Sequence, residues 1–159
     1  MTTNHVVSDK WIMPRLQVDS WQEVIQQLGG LLVGQDVVKE SYIKAVLERE
    51  AVFPTGLPLG KINVAIPHTD TRHVQRPAIA VATLAKPVLF GNMGEPGSEL
   101  AVQIVFLLAM TDPQAQVGLL QSLVAAFQNG EVLERLLQAA MPEDIVRIMT
   151  EQLVMEEAS

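Results

Sequence analysis

The chain contains no cysteine. A disulfide framework, a thiol nucleophile and a cysteine-ligated zinc site are therefore excluded, and the usage agrees with a reducing compartment. Aromatic residues make up only 4%, so a core must be assembled mainly from Val, Leu, Ile, Ala and Met. Long apolar runs are missing too, since the longest, Ile104 to Met110, is far too short to span a bilayer. The segment from Met1 to Lys10 is polar and lacks the apolar centre of a signal peptide. Positive charge is scarce: 11 Lys and Arg stand against 18 Asp and Glu, a formal net charge of -7. Such a balance argues against a sequence-independent nucleic-acid binder. The expectation is a cytoplasmic protein without direct membrane insertion.

What remains is apolar and moderately charged, 48% and 18% of a chain of 159 residues. That composition suits one globular domain with a sizeable core. Ser20-Trp21-Gln22-Glu23 has the spacing of a helix capping box, with Val24, Ile25 and Leu28 on one face and Gly29-Gly30 as a stop. A second helix is expected from near Asp36, on the spacing of Val38, Tyr42, Ala45 and Val46, ending before Pro54. The stretch from Pro54 to Lys61 reads as an ordered loop.

Three strands are expected next: Ile62 to Ile66, Ala78 to Ala85, and the almost wholly apolar Ala101 to Met110, a strand covered on both faces. Between the last two, Gly91 to Gly97 is a loop signature with no chemistry required of it. Thr111-Asp112-Pro113 supplies a cap and a first-turn proline for a helix whose stripe is Val117, Leu120, Val124 and Phe127, closed by Asn129-Gly130. Helices over Glu131 to Ala140 and Pro142 to about Val154 follow. Strands interleaved with helices indicate a layered α/β domain.

Two of the three histidines lie in Asn63-Val64-Ala65-Ile66-Pro67-His68-Thr69-Asp70-Thr71-Arg72-His73-Val74. His68 stands at the mouth of a buried strand, where open α/β sheets gather reactive groups, and Pro67 fixes one torsion before it. A packed, inert ring is the plain alternative. A metal site is disfavoured, because His68 and His73 do not share the helical pair spacing and no further His or Cys stands nearby in sequence. Gly56-Leu57-Pro58-Leu59-Gly60-Lys61 is not a phosphate loop: its glycines are one residue too close and Ile62 replaces the Ser or Thr. The imidazole itself remains as a nucleophile able to carry a phosphoryl group. Such a site needs a cation, and Arg49, flanked by Glu48 and Glu50, is the candidate.

The ordered set Leu47-Glu48-Arg49-Glu50, a Pro/Gly loop and Val64-Ala65-Ile66-Pro67-His68 resembles the enzyme IIA component of the bacterial phosphoenolpyruvate-dependent sugar phosphotransferase system. The fructose–mannitol–nitrogen-type superfamily is meant. The strand Ile104 to Met110 and the helix around Gln116 to Phe127 complete the likeness, which covers roughly residues 10 to 155. The Pro-His-Thr-Asp ending and Leu108-Ala109-Met110-Thr111-Asp112-Pro113 look most like the galactitol-type branch.

The resemblance implies an N-terminal tail over 1–9 and one layered α/β domain over 10–159, a mixed central β-sheet flanked by helices. It implies that His68 accepts a phosphoryl group from the carrier HPr, as a tele-phosphohistidine. A cognate enzyme IIB, through it a membrane enzyme IIC, and the sugar lie downstream. Arg49 would stabilise the phosphoryl group, with no cofactor and no metal. Many relatives carry a second active-site histidine where this chain has Gln116, which donates a hydrogen bond but takes no positive charge. Asp70 is expected either to orient the His68 ring or to cap a local turn, and His73 to be a surface residue. An apolar surround at His68 is expected from Leu57, Val64 and Ile66. The competing reading is a free-standing regulatory domain whose histidine phosphorylation state a partner reads.

Overall fold

The computed structural model describes residues 6–158. Five strands form one mixed sheet: β1 (Ile12–Leu16), β2 (Gly56–Leu57), β3 (Val64–Ala65), β4 (Ala78–Gly91) and β5 (Glu99–Ala109). Their order across the sheet is β1-β4-β5-β3-β2. β4 and β5 pair antiparallel from Ala78–Ala109 to Gly91–Glu99, whereas β1 on β4 and β3 on β5 are parallel. The helices are α1 (Trp21–Gly34), α2 (Ser41–Val52), α3 (Pro113–Phe127), α4 (Gly130–Gln138) and α5 (Pro142–Ala158).

The pleat explains the layers, because alternate residues of a strand face opposite sides. Ile104, Phe106 and Leu108 of β5, with Ile79 and Val81 of β4, pack under Leu119, Leu123 and Phe127 of α3 and the apolar faces of α4 and α5. Val105, Leu107 and Ala109, with Ala78, Ala80 and Ala82, meet Ile25, Leu28, Tyr42 and Val46 of α1 and α2. Both sides of the central strands are covered, as their unbroken apolar sequences require. Phe106 and Phe127 hold ring centroids 4.6 Å apart in the first of these layers.

Several local expectations are corrected. Gly29-Gly30 does not end α1. A Cβ on Gly29 would stand 2.6 Å from Ile43 Cγ1, so this glycine lets α1 and α2 approach closely. α1 stops instead through Asp36, whose φ of 55° is left-handed, while Val37 N–H returns to Leu32 O at 2.9 Å. α2 therefore starts at Ser41, not near Asp36. β1 adds a strand to those expected: Pro14 interrupts its pattern, and an edge strand tolerates proline. The loop after Pro54 contributes the two-residue β2, and β4 runs on to Gly91.

Ser20 caps α1 through Glu23 N–H, and Asp112 caps α3 through Ala115 N–H. Asn129 is not the end of α3 alone, because its side chain caps α4 by accepting from Glu131 N–H. α5 continues beyond Val154 to Ala158. Of the expected tail, residues 1–5 lie outside the described residues. Val6 and Val7 are buried, and Ile79 N–H donates to Val6 O at 2.7 Å. Among the described residues no helix is long and apolar enough to cross a membrane.

Candidate active site

β3 ends at Ala65, and the chain leaves the sheet through Ile66 and Pro67 into His68. Pro67 O accepts from Leu108 N–H at 3.0 Å, which ties this exit to the neighbouring β5. His68 is half-buried, with Nδ1 2.8 Å from Ile66 O. A carbonyl oxygen only accepts, so Nδ1 carries the proton and the neutral ring presents the Nε2 lone pair. Burial pushes the His68 pKa below its ordinary value; the Ile66 hydrogen bond opposes this, and the charge of Arg49 adds to the lowering. The ring is thus held neutral and in one defined tautomer.

Two concavities meet at this ring. One, of about 410 Å³, is lined by Arg49, Phe53, Pro54, Thr55, Asn92, Met93 and His68 among others. Arg49 is its one full charge, exposed in the last turn of α2 with its guanidinium carbon 5.4 Å from the Phe53 ring centroid. The other, of about 590 Å³, is almost purely apolar, with Leu57, Ile66, Met93, Leu120 and Val124 around His68. The expected apolar surround therefore comes from Leu57 and Ile66, while Val64 is wholly buried beneath.

The α3 stripe of Val117, Leu120, Val124 and Phe127 is corrected in the same region. Only Phe127 of these four lies fully in the core, Leu120 and Val124 line the apolar concavity, and Val117 is 54% exposed. Leu119, Leu123 and Ala126 supply the buried face instead. A helix whose apolar residues exceed one face leaves some of them at a site.

Gln116 stands half-buried in the first turn of α3, where its Nε2 donates to Thr69 O at 3.3 Å. It ties α3 to the residue after His68, and its Oε1 is buried without a hydrogen-bond partner. Asp70 does not reach the His68 ring. Its carboxylate accepts from Arg72 N–H at 3.0 Å and caps the short turn Thr71–His73. Ring orientation comes from the Ile66 carbonyl, 2.8 Å from Nδ1. His73 pairs through Nδ1 with Ser41 Oγ at 2.8 Å, away from His68. Among the described residues no group of three or more His, Cys, Asp or Glu could hold a metal ion.

The sequence analysis gave no role to Thr55, Asn92 and Met93, which line the concavity at the ring, nor to Glu50, which bonds to Thr55. Glu50 is buried, 4% exposed, which its place beside Arg49 in the last turn of α2 does not announce. Met93 belongs to the β4–β5 turn, which comes to the site because Met93 N–H donates to Gly56 O at 2.8 Å. No local pattern announces that contact.

Residues 5–152 match the family model described as phosphoenolpyruvate-dependent sugar phosphotransferase system, EIIA 2. The galactitol-specific EIIA component of Escherichia coli strain K12 is 31% identical over 121 residues, 76% of this chain and 79% of that protein. A Streptococcus pyogenes M1 GAS domain described as a phosphotransferase-system IIA domain superposes with a TM-score of 0.77 at 26% identity, covering 96% of this chain and 97% of that one. The mannitol IIA of Escherichia coli, solved in complex with phosphorylated mannitol IIB, shares the fold at a TM-score of 0.74 and 22% identity over 91% of this chain and 97% of that one. Together with the histidine at the strand exit, these matches show that the chain belongs to the EIIA 2 family of the phosphoenolpyruvate-dependent sugar phosphotransferase system.

Proposed function

We propose that His68 is the phosphoryl-carrying residue of this enzyme IIA and that Nε2 is the atom that carries it. The Nε2 lone pair attacks the phosphorus of phospho-HPr, the donor N–P bond breaks, and the HPr imidazole leaves. The Nδ1 proton stays on the ring, where the Ile66 carbonyl offsets the positive charge gained as the new N–P bond forms. Arg49 offers the phosphoryl oxygens a charge-assisted donor in the adjacent concavity. The reverse displacement, by a nucleophile of a cognate enzyme IIB, unloads the ring for sugar uptake through the membrane component. The apolar rim of Leu57, Met93, Leu120 and Val124 suits both docking and exclusion of water from the phosphoramidate.

The hydrogen bond from His68 Nδ1 to Ile66 O carries this reading, because it leaves only Nε2 free to react. Galactitol, or a polyol like it, is the proposed cargo of the system, on the strength of the 31% identity to a galactitol-specific component. The proposed place of action is the cytoplasm, where HPr is found. Carriage, rather than a regulatory readout alone, is favoured by relatives that are transport components over most of their length.

The test is intact mass after incubation with phosphoenolpyruvate, enzyme I and HPr, beside a His68→Ala control. One acid-labile phosphoryl group on the wild type and none on the variant is the expected result. Addition to both proteins, or to neither with active components, overturns the assignment.

A further inference from the structure

We propose that Glu50 and Thr55 are positioning residues for phosphoryl transfer, holding the backbone of Ile66 so that its carbonyl fixes the His68 ring. The inference rests on His68 as the carrier and adds residues that touch neither the ring nor the phosphoryl group.

Glu50 and Thr55 are 4% and 3% exposed, so every polar atom they bring must find a partner. The Glu50 carboxylate accepts Thr55 N–H through Oε2 at 2.8 Å and the Thr55 hydroxyl through Oε1 at 2.9 Å. Thr55 Oγ1 in turn accepts Ile66 N–H at 3.1 Å. The hydroxyl has one proton, and with Ile66 N–H occupying its acceptor side that proton goes to the carboxylate. The chain therefore has one direction: Ile66 N–H to Thr55, Thr55 O–H to Glu50.

Ile66 lies one residue beyond β3, where sheet pairing no longer holds it. Thr55 supplies the partner that a strand would have supplied. Ile66 O is then free for His68 Nδ1 at 2.8 Å. A buried carboxylate is costly, and burial raises the Glu50 pKa against the hydrogen bonds of Thr55 and the charge of Arg49. A neutral pair of side chains could fill the same volume. The carboxyl group is distinguished by accepting two donors from one residue, one on each oxygen, which locks Thr55 in both position and hydroxyl direction. Loosening it frees Ile66, and through Ile66 the tautomer and aim of the ring.

The experiment uses full-length wild type, Thr55→Ser, Thr55→Val and Glu50→Gln, with ring 15N spectra of His68 and the kinetics of phosphoryl acceptance from phospho-HPr. The wild type and Thr55→Ser should show a single Nδ1–H tautomer and rates within about twofold of each other. Thr55→Val and Glu50→Gln should show mixed tautomers and a kcat lower by roughly 10-fold or more, with KM for phospho-HPr within about twofold, because misplacement of a reacting group costs on that scale. Wild-type spectra and rates in both folded variants overturn the inference. So does an Nε2–H tautomer in the wild type, or loss of folding in both variants, which would make the pair purely structural. The spectra need no phosphoryl donor, so a wild type that accepts no phosphate overturns the carrier reading while the tautomers still test the positioning.

Discussion

At the scale of single residues, the His68 ring combines a lowered pKa with a fixed proton. A ring titration followed by NMR should show its midpoint below the ~6.5 of an unperturbed histidine, and a midpoint above that value would contradict the burial argument. Stability follows from the same shift. In the pH interval below ~6.5 but above the folded pKa, the unfolded chain binds the proton and the folded chain does not. Stability attributable to His68 is complete above the unfolded pKa and is lost as pH falls through that interval. Urea midpoints measured from pH 7 to pH 5 should therefore fall less in His68→Gln than in the wild type.

Arg49 is a different case, exposed, with its guanidinium over the Phe53 ring. Arg49→Ala should leave the denaturation midpoint almost unchanged, within roughly 0.5 kcal/mol as for other surface changes. Phosphoryl acceptance should slow by about 100-fold, the loss typical of a charge-stabilising donor. An unaltered rate would remove Arg49 from the mechanism. Gln116→His should still transfer, because Gln116 bonds to Thr69 O and not to the His68 ring.

At the scale of elements, the loop after α2 is what assembles the site, and it does so by close backbone approach. A Cβ on Gly56 would stand 2.5 Å from Gly91 O, so Gly56→Ala must push β2 and the end of β4 apart. The expected cost is about 1–3 kcal/mol in chemical denaturation, with Gly94→Ala in the β4–β5 turn as a control that meets no atom closer than 3.6 Å. Equal midpoints for the two variants would show that the loop yields easily. The caps of α1 and α3 could be read from Ser20 and Asp112, because a cap is a short-range hydrogen bond. The stop at Asp36 and the passage of α1 through Gly29 could not, because both depend on what packs against the helix. The α3 stripe failed for a related reason: Leu120 and Leu123 are equally apolar, and only the sheet beneath decides which of them is covered.

At the scale of the whole molecule, two apolar layers on opposite faces of one sheet hold the strand exit in place. Phe106, fully buried and 4.6 Å from Phe127 between ring centroids, belongs to the layer under α3. Phe106→Ala should cost about 3–5 kcal/mol, a large part of the stability of a small domain, and should lower the thermal midpoint well beyond the effect of Arg49→Ala.

The sequence by itself determined the α/β class, the apolar central strands and the place of His68. Apolar runs, caps and the Pro-His step are local signals, written within a few residues of one another. Only the tertiary structure decided what surrounds that histidine. Ile66 O fixes the ring, Thr55 and Glu50 stand behind it, and Met93 arrives from a distant turn. The physical reason is that an unpaired donor or acceptor at a strand end is satisfied by whichever group the fold brings near, and that group need not be close in the chain.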